Sequence, residues 1–338
     1  MPTIQDVAKR AGVSPITVSR VINHFGYCSQ QTRERVGAAI AELGYVPNSL
    51  ARSLRSKRTH TIALVLTDIT NPFFTTLARG VEDAASQAGF MVILCNTDES
   101  EVKELNYLQL LLQKQVDGIL LVPAVTESKS IQLIRRQAVP VVVVDRRVPG
   151  IETDVVRCNS EVASYQLVNL LLELGHRHIA VLSGRKTVFT AEERVWGYQR
   201  AMREAHLQDA ETVYYGEFNQ QSGYENTRQA MALDPAPTAL FAANNFIAIG
   251  AFKALREMGL RVPEDISLVA FDDLPPSFVM FPFLTVAYQP SYEMGKKATE
   301  LLLSRLSAEA PDGYQEIELP VEIKVRQSSG VVRATTSI

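Results

Sequence analysis

Apolar positions in the first 45 residues repeat with the spacing of short amphipathic helices. Thr3 is placed to cap a first helix, with Asp6 as its capping-box partner, and Gly12 ends it. The apolar residues on one face of this helix are Ile4, Val7, Ala8 and Ala11. The pattern therefore predicts a helix from Ile4 to the residue before Gly12.

Two more helices are predicted behind the first. Ser14 is an N-cap and Pro15 occupies the first helical position, where its missing N–H does no harm. Ser29 caps a third helix that ends at Gly44. The apolar faces contain Val18, Val21 and Ile22, and then Val36, Ile40 and Leu43. Two short helices across a glycine turn, with a third behind them, form a helix-turn-helix. An unrelated three-helix bundle is the alternative.

From residue 61 onward, apolar strands alternate with amphipathic helical patterns. The strands of the first half are TIALVLTDI, MVILCN, DGILLVPA and VPVVVVD. After about residue 158 the theme repeats with HIAVLSG, TVYYGEF, TALFAANN and ISLVAFDD. Nearly continuous Val, Ile and Leu runs indicate parallel strands covered on both faces. The predicted fold class is α/β, an all-α headpiece plus a core of two doubly wound parallel-sheet subdomains that enclose a cleft.

Charge separates these two regions. Residues 1–60 hold nine basic and three acidic side chains, a charge of +6, which leaves −9 for the remainder because the total is −3. A basic module on an acidic body is typical of a nucleic-acid-binding head. A solvated basic tail is the alternative, which the helical pattern disfavours.

Composition excludes several classes of protein. The chain has 338 residues, 46% hydrophobic and 21% charged, which suits two or three soluble domains. No apolar run is long enough for a membrane helix, and MPTIQDVAKR lacks a signal-peptide core, so we expect a cytoplasmic protein. The three cysteines and the five histidines are scattered along the chain, so we expect no disulfide, no metal site and no cofactor. We expect His176 and His178 at the surface.

The second predicted helix would lie in the DNA major groove. Its outward residues are Pro15, Ile16, Thr17, Ser19 and Arg20. Arg20 could read guanine through two hydrogen bonds, and a phosphate contact is the alternative.

Polar and aromatic residues collect at the predicted strand ends of both halves. Aromatic rings can stack on sugars, while carboxylates, guanidinium groups and amides bridge neighbouring hydroxyls. Asp145 and Arg146 are adjacent, so we expect them to reach neighbouring hydroxyls on one sugar edge, with Asp145 also a partner of Arg146. We expect Asp272 and Asn244 on the opposite edge. Taken singly, each residue also has an ordinary structural interpretation.

The headpiece resembles the LacI/GalR family of bacterial repressors. The resemblance is carried by TIQDVAKRAGVSPITVSRVIN and TRERVGAAIAELGYVPNSLARSLRS. It implies a hinge helix from Asn48 to Arg55, with Leu54 inserted as an apolar wedge into the minor groove; taken alone, Leu54 would suit a core position. The implied DNA-contacting residues are Thr3, Ser14, Pro15, Ile16, Thr17, Ser19, Arg20, Asn23, Leu54 and Arg55.

Residues 61–330 resemble the type I periplasmic sugar-binding fold, especially ribose-binding proteins and ribose-operon repressors. The effector-binding residues that this resemblance implies are Phe73, Phe74, Asp145, Arg146, Arg194, Phe218, Asn244, Asp272 and Gln289. One residue departs from the pattern, because Asn245 stands where these relatives commonly carry Asp. LPVEIKVRQSSG is similar to the family's last strand, and no leucine heptads follow it, so we expect a homodimer.

The resulting domain boundaries are a headpiece at 1–47, a hinge helix and linker at 48–60, and a tail at 331–338. The core N-subdomain takes 61–158 plus 290–317, and the C-subdomain takes 159–289 plus 318–330.

The leading hypothesis is a DNA-binding transcription regulator, most simply a repressor, gated by a small sugar such as ribose. A co-repressor-type regulator that senses a non-sugar metabolite is the alternative, since purine-type relatives work by co-repression. A periplasmic transport receptor would need an export signal. A sugar enzyme would need a catalytic cluster that the sequence does not offer.

Overall fold

The computed structural model describes residues 2–23, 25–46, 58–126, 129–274, 281–307 and 312–332. Contacts within the chain divide it into two units, Met1–Thr59 and His60–Ile338. Within the described ranges, no helix is long and apolar enough to span a membrane.

The first unit contains helices α1 (Ile4–Ala11), α2 (Pro15–Ile22) and α3 (Gln30–Leu43). The predicted caps are confirmed: the side chains of Thr3, Ser14 and Ser29 accept backbone N–H groups of the first turns. Gly12 and Gly44 end α1 and α3 in the left-handed conformation. The residues with no exposed surface in this small core are Val7, Val18 and Val36. These are the apolar faces that the sequence pattern predicts.

The second unit contains two lobes, each built on one sheet. The sheet of the first lobe has the strand order β11-β5-β4-β3-β1-β2, and all its described pairs are parallel. Its strands are β1 (Thr61–Leu66), β2 (Met91–Asn96), β3 (Gly118–Leu121), β4 (Val141–Val144), β5 (Asp154–Cys158) and β11 (Glu316–Leu319). Its helices are α4 (Pro72–Gln87), α5 (Glu101–Gln113), α6 (Lys129–Arg136) and α11 (Ser291–Leu306).

The second lobe repeats this arrangement with the order β12-β10-β9-β8-β6-β7. Its strands are β6 (Ile179–Ser183), β7 (Thr212–Tyr215), β8 (Ala239–Ala242), β9 (Ser267–Phe271), β10 (Thr285–Tyr288) and β12 (Glu322–Lys324). Its helices are α7 (Ser160–Glu173), α8 (Phe189–Glu204), α9 (Gln220–Ala230) and α10 (Asn245–Glu257). In both sheets the central strands are fully buried, which is why they contain almost only apolar residues.

The chain passes between the lobes three times. The passages lie after Cys158, between Tyr288 and Ser291, and between Leu319 and Glu322. Strand β11 pairs with β5 of the first lobe as far as Leu319, two residues beyond the expected boundary at 317. Strand β12 then pairs antiparallel with β10 of the second lobe.

Glycines allow the helices that cover each sheet to approach closely. A Cβ added at Gly250 of α10 would lie 1.9 Å from the carbonyl oxygen of Gln220 in α9, and one at Gly223 would lie 2.2 Å from that of Ile247. Gly80 and Gly295 have the same role where α4 crosses α11. At these four positions any side chain would push the helices apart.

The expected exposure of His176 is wrong, because its side chain is only 2% exposed. Its ring nitrogens lie 2.9 Å from Thr238 Oγ1 and 3.0 Å from both Ser267 Oγ and the Gly330 carbonyl oxygen. Burial lowers the pKa of His176. The residue therefore joins β8, β9 and the C-terminal segment, while His178 is exposed as predicted.

Candidate functional site

The outward face of α2 carries the residues predicted to meet DNA. Pro15, Ile16 and Arg20 are exposed, and Ile16 retains 67% of its surface. Thr17 and Ser19 are half-buried. This face combines one cation with apolar and hydroxyl groups, the chemistry that base edges in a major groove require.

Five of the predicted DNA residues also have local structural partners. Thr3 Oγ1 donates to Asp6 Oδ2 at 2.7 Å, and Ser14 Oγ lies 2.9 Å from Thr17 Oγ1. The exposed Asn23 donates through Nδ2 to the Ser19 carbonyl oxygen at 2.8 Å. Leu54 and Arg55, together with the expected cap Asn48, lie outside the described residues.

Within the second unit, a cleft of about 310 Å³ lies between the two lobes. It is lined by the residues that follow the strands of both sheets, as expected where strand ends face one another. Eight of the nine predicted effector residues line it: Phe73, Phe74, Asp145, Arg146, Arg194, Phe218, Asn244 and Asp272.

The ninth, Gln289, lies directly behind the cleft wall. Its Nε2 donates to Asp272 Oδ1 at 2.7 Å, and its side chain is buried. It thus orients one carboxylate of the site.

Asp145 and Asp272 occupy matching places, one after β4 and the other after β9. Both are buried and adopt left-handed backbone conformations, with φ of +66° and +64°. Burial raises the pKa of Asp145 to about 6 against the opposing effects of Arg194 and Arg146. Burial also raises the pKa of Asp272, against Arg194 and the hydrogen bond from Gln289.

Arg146 is held mainly by Glu99, and the expected partner Asp145 forms the longer of its two ion pairs. Its Nη1 and Nη2 each donate to one Glu99 carboxylate oxygen at 2.6 Å, and Nη1 also donates to the Pro123 carbonyl oxygen. The nearest Asp145 oxygen is 3.7 Å from Arg146 Nε. A bidentate pair on another loop satisfies the guanidinium better than the adjacent residue can, because backbone geometry limits a neighbour's reach.

The buried guanidinium of Arg194 lies at the opposite side of the cleft. Its Nη1 donates to the Ala243 carbonyl oxygen at 2.6 Å, and its carbon lies 3.9 Å from the ring centre of Phe271. Both contacts belong to the second lobe, and they fix the group without using a carboxylate.

Aromatic rings complete the lining. The Phe73 and Phe74 ring centres are 5.0 Å apart in an edge-to-face arrangement, and both side chains are buried. Phe218 of the second lobe is half-buried and lies under Arg146, 5.9 Å from its guanidinium carbon. The cleft therefore offers apolar faces from both lobes.

Comparison with known proteins identifies the family. Residues 3–48 match the family model described as "Bacterial regulatory proteins, lacI family", and residues 59–325 match "Periplasmic binding proteins and sugar binding domain of LacI family". The chain belongs to the LacI family. It is accordingly a DNA-binding transcription regulator controlled by a small molecule.

Curated relatives of this LacI-family regulator are similar over nearly their whole length. A ribose operon repressor of Halalkalibacterium halodurans is 39% identical over 329 residues, 97% of each chain. The transcriptional repressor PurR of Aliivibrio salmonicida is 36% identical, covering 97% of this chain and 99% of its own.

Solved structures of LacI-family proteins share the architecture. A Lac repressor dimer bound to operator and the anti-inducer ONPF is 29% identical with a TM-score of 0.86, covering 97% of this chain and 99% of that one. A LacI family regulator from Enterococcus faecium with bound ribose is 31% identical with a TM-score of 0.73, covering 81% and 100%.

Sequence reasoning missed several polar residues of the regulator's cleft. Glu99 lies in a polar loop with φ of +57°, and only the folded chain brings it to Arg146. Arg185 donates to the Glu99 carbonyl oxygen at 3.3 Å and forms an ion pair with Glu217. Asn71 carried a usable signal, because Asn before Pro at the end of a strand is typical of a helix start.

Proposed function

We propose that this regulator is a repressor whose operator affinity is set by a neutral monosaccharide in the cleft, with ribose the first candidate. The observation that carries the proposal is a set of buried polar atoms around the cleft. Among the described residues, Asp145 Oδ1, Arg146 Nε, Arg194 Nε and Gln289 Oε1 make no hydrogen bond. Buried polar atoms are rarely left without partners. Asp145, Arg146 and Arg194 line the cleft, and Gln289 lies behind it. Sugar hydroxyls both donate and accept, so one ligand can satisfy the Asp145 acceptor and the two guanidinium donors.

The charge of the lining favours a neutral effector over an anionic one. Six carboxylates and three guanidinium groups line the cleft, so a phosphorylated ligand would meet net repulsion. The alternative is a co-repressor that is not a sugar. The similarity to a PurR repressor, at 36% identity, supports this alternative. The ribose operon repressor and the ribose-bound neighbour support the sugar.

Effector and operator would be coupled through lobe closure. A ligand that contacts both lobes stabilises the arrangement in which they are close. If the operator-binding form needs another arrangement, the two affinities are linked reciprocally, typically by about 1–3 kcal/mol. We propose that the cleft binds its effector without catalysing a reaction. We also propose that the regulator acts in the cytoplasm, where the operator is.

On the DNA side, we propose the residues already given for the headpiece as the contacts, with Leu54 and Arg55 of the hinge acting at the operator centre. A pseudo-palindromic operator then requires a homodimer. Strand β2 lies at the edge of the first sheet, and the exposed Met91 and Leu94 give that edge an apolar surface suited to a second copy.

The experiment is an operator gel-shift titration with D-ribose first and a panel of other pentoses and hexoses next. Asp145→Ala and Asp272→Ala should each abolish the sugar response while operator binding without sugar persists, since both carboxylates lie in the other unit. The exposed Asp209 provides the control, and Asp209→Ala should respond as the unaltered protein does. Full responses in both cleft variants would place the effector elsewhere. No response of the unaltered protein to any sugar would favour the non-sugar alternative.

A further inference from the structure

A reciprocal pair of side-chain amides joins the two lobes at the start of two helices. Asn71 Nδ2 donates to Asn245 Oδ1 at 3.1 Å, and Asn245 Nδ2 donates to Asn71 Oδ1 at 3.0 Å. The two side chains are 4% and 0% exposed. The pair connects positions 174 residues apart, the cap of α4 in the first lobe and the first residue of α10 in the second.

The orientation of this pair follows from a third hydrogen bond. Asn71 Oδ1 also accepts the backbone N–H of Phe73 at 3.0 Å, as the N-cap of α4. A backbone N–H requires an oxygen, so the Asn71 amide cannot be turned over without losing its cap. Residue 245 must therefore donate to Asn71 Oδ1 and accept from Asn71 Nδ2. Only a side chain with both functions, such as an amide, meets the two demands.

Asn245 stands behind the site, while Asn71 belongs to it. Among the described residues, the cleft lining includes Asn71, Phe73 and Asn244, and Asn245 is not part of it. Asn244 Oδ1 is engaged as the cap of α10. Asn245 thus acts on the site through Asn71, whose amide it fixes next to the two phenylalanines.

We propose that Asn245 is a positioning residue, which holds Asn71 and joins the lobes, and that a neutral amide at position 245 is needed for full effector affinity. An ionised aspartate at this position offers acceptors alone. Asn71 Oδ1 would then face a carboxylate oxygen in a buried place, losing one hydrogen bond and gaining a repulsion. The inference rests on the proposed function only in taking a sugar as effector, since the pair itself is independent of the ligand.

The first experiment measures D-ribose binding by the full chain, using the fluorescence of the single tryptophan, Trp196, and calorimetry. Asn245→Asp should weaken binding roughly tenfold or more, as expected when a buried group loses its partner. Asn169 is a half-buried residue of α7, and Asn169→Asp makes the same chemical change there. This variant should bind D-ribose as the unaltered protein does. Unchanged affinity in Asn245→Asp would overturn the proposal.

Lowering the pH should restore the D-ribose affinity of Asn245→Asp. Once protonated, the carboxyl group introduced by Asn245→Asp carries an O–H that can donate to Asn71 Oδ1, while its carbonyl oxygen accepts from Asn71 Nδ2. Position 245 is fully buried, which raises the pKa of a carboxyl placed there above the usual aspartate value of about 3.9. The affinity ratio of Asn245→Asp to Asn169→Asp should therefore approach one as the pH falls from about 8 to about 5. Using the ratio cancels the titration of Asp145, which both variants share. A ratio that stays constant would contradict the proposed exchange of donor and acceptor.

A cycle of alanine variants covers the case in which the aspartate variant does not fold. Asn71→Ala, Asn245→Ala and the double variant should be strongly non-additive in ribose affinity, since either change removes the same pair. Asn71→Ala also removes a helix cap and a cleft contact, but it does so whether residue 245 is asparagine or alanine. These losses therefore cancel in the coupling energy of the cycle. Additive effects would show that the two residues act separately and would overturn the proposal.

Hydrogen exchange tests the pair without any sugar. In the ligand-free chain, Asn245→Ala should speed exchange of the Phe73 amide, because Asn71 is no longer held in place to accept it, and Asn169→Asp should not. Unaltered exchange would overturn the positioning role. If no sugar binds but Phe73 exchanges faster, the sugar proposal fails while the pair is confirmed.

Discussion

At the scale of single residues, Asp145 and Asp272 combine two unfavourable features. Each is a buried carboxylate, and each has a positive φ that few residues other than glycine, asparagine and aspartate tolerate. The surrounding sheet holds them in this conformation at some cost to stability. Such costs are commonly found where a ligand is to be met, and the two residues occupy the same place in the two sheets.

The titration of Asp145 gives a prediction about stability. Burial raises the pKa of Asp145 to about 6, so the folded protein binds this proton more tightly than the unfolded chain does. The resulting contribution to the free energy of unfolding is fully present below about pH 4 and is lost as the pH rises through about 6. Asp145→Asn lacks this loss, and asparagine tolerates the left-handed backbone. Urea unfolding should therefore find the variant equal to the unaltered protein near about pH 4 and more stable by about 2–3 kcal/mol at about pH 7.5.

The control for this measurement lies within the molecule. Burial likewise raises the pKa of Glu193 to about 7, and the charge of Asp145 adds to this rise, so both proteins are compared in a Glu193→Gln background, where the difference between them isolates Asp145. A difference that is independent of pH would mean that Asp145 does not titrate in this range.

Arg20 supplies a prediction about DNA. It is exposed on α2, so Arg20→Ala should relax base preference at one position of each half-site and cost about 1–3 kcal/mol per contact. Binding to a set of single-base operator variants would measure this. Arg10, which pairs with Glu42 at 2.7 Å, provides the control, since Arg10→Ala should leave base preference unchanged. Equal losses on every sequence would make Arg20 a phosphate contact.

Residue-scale details were the least predictable from sequence. Asp145 and Arg146 could be placed at a strand end, because strands and their ends follow from the apolar pattern. The partnership of Arg146 with Glu99, the pairing of Asn71 with Asn245 and the burial of His176 depend on segments far apart in the chain. No local pattern encodes which distant loop supplies a partner.

At the scale of elements, local chemistry was sufficient for most of the fold. The caps at Thr3, Ser14 and Ser29 predicted three helix starts because a capping side chain acts within three residues. Buried strands such as β4 were visible as apolar runs. Strand β11 has alternating exposure and only four residues, so the passage after it was placed two residues early.

The close helix crossing at Gly250 yields a prediction at this scale. A methyl group there would lie 1.9 Å from the Gln220 carbonyl oxygen, and two backbones must separate to admit it. Gly250→Ala should lower the free energy of unfolding of the second lobe by at least about 2 kcal/mol, measured by urea with Trp196 fluorescence. Gly37→Ala, where the methyl meets nothing within 4 Å, should leave that transition unchanged. Equal stability of the two variants would show that α9 and α10 adjust freely.

At the scale of the whole molecule, regulation requires that two lobes move as units. Each lobe has its own sheet and core, so closure can change the cleft while the interiors stay packed. Contacts such as Arg185 with the Glu99 carbonyl oxygen cross the cleft and can change without disturbing either interior.

Dimerisation through the edge of the first sheet gives a further prediction. Met91 is 66% exposed on β2, so Met91→Glu should weaken self-association at least tenfold in sedimentation experiments by placing a charge in an apolar contact. Operator affinity should fall with it, because two headpieces are needed. Leu233→Glu makes a similar change at an exposed apolar residue of the second lobe and should leave the dimer intact. An undisturbed dimer in Met91→Glu would place the interface elsewhere.

The three passages between the lobes have a consequence for folding during synthesis on the ribosome. The first sheet needs β11 beside β5, but about 160 residues separate Cys158 from Glu316. At a synthesis rate of about 5–20 residues per second, β5 waits roughly 8–30 s for its neighbour. The second sheet waits in turn for β12, so neither lobe can be completed before the other has been translated. The headpiece, a separate unit made first, has no such delay, and each new molecule is therefore ready to fold its DNA-binding part well before its sensing part.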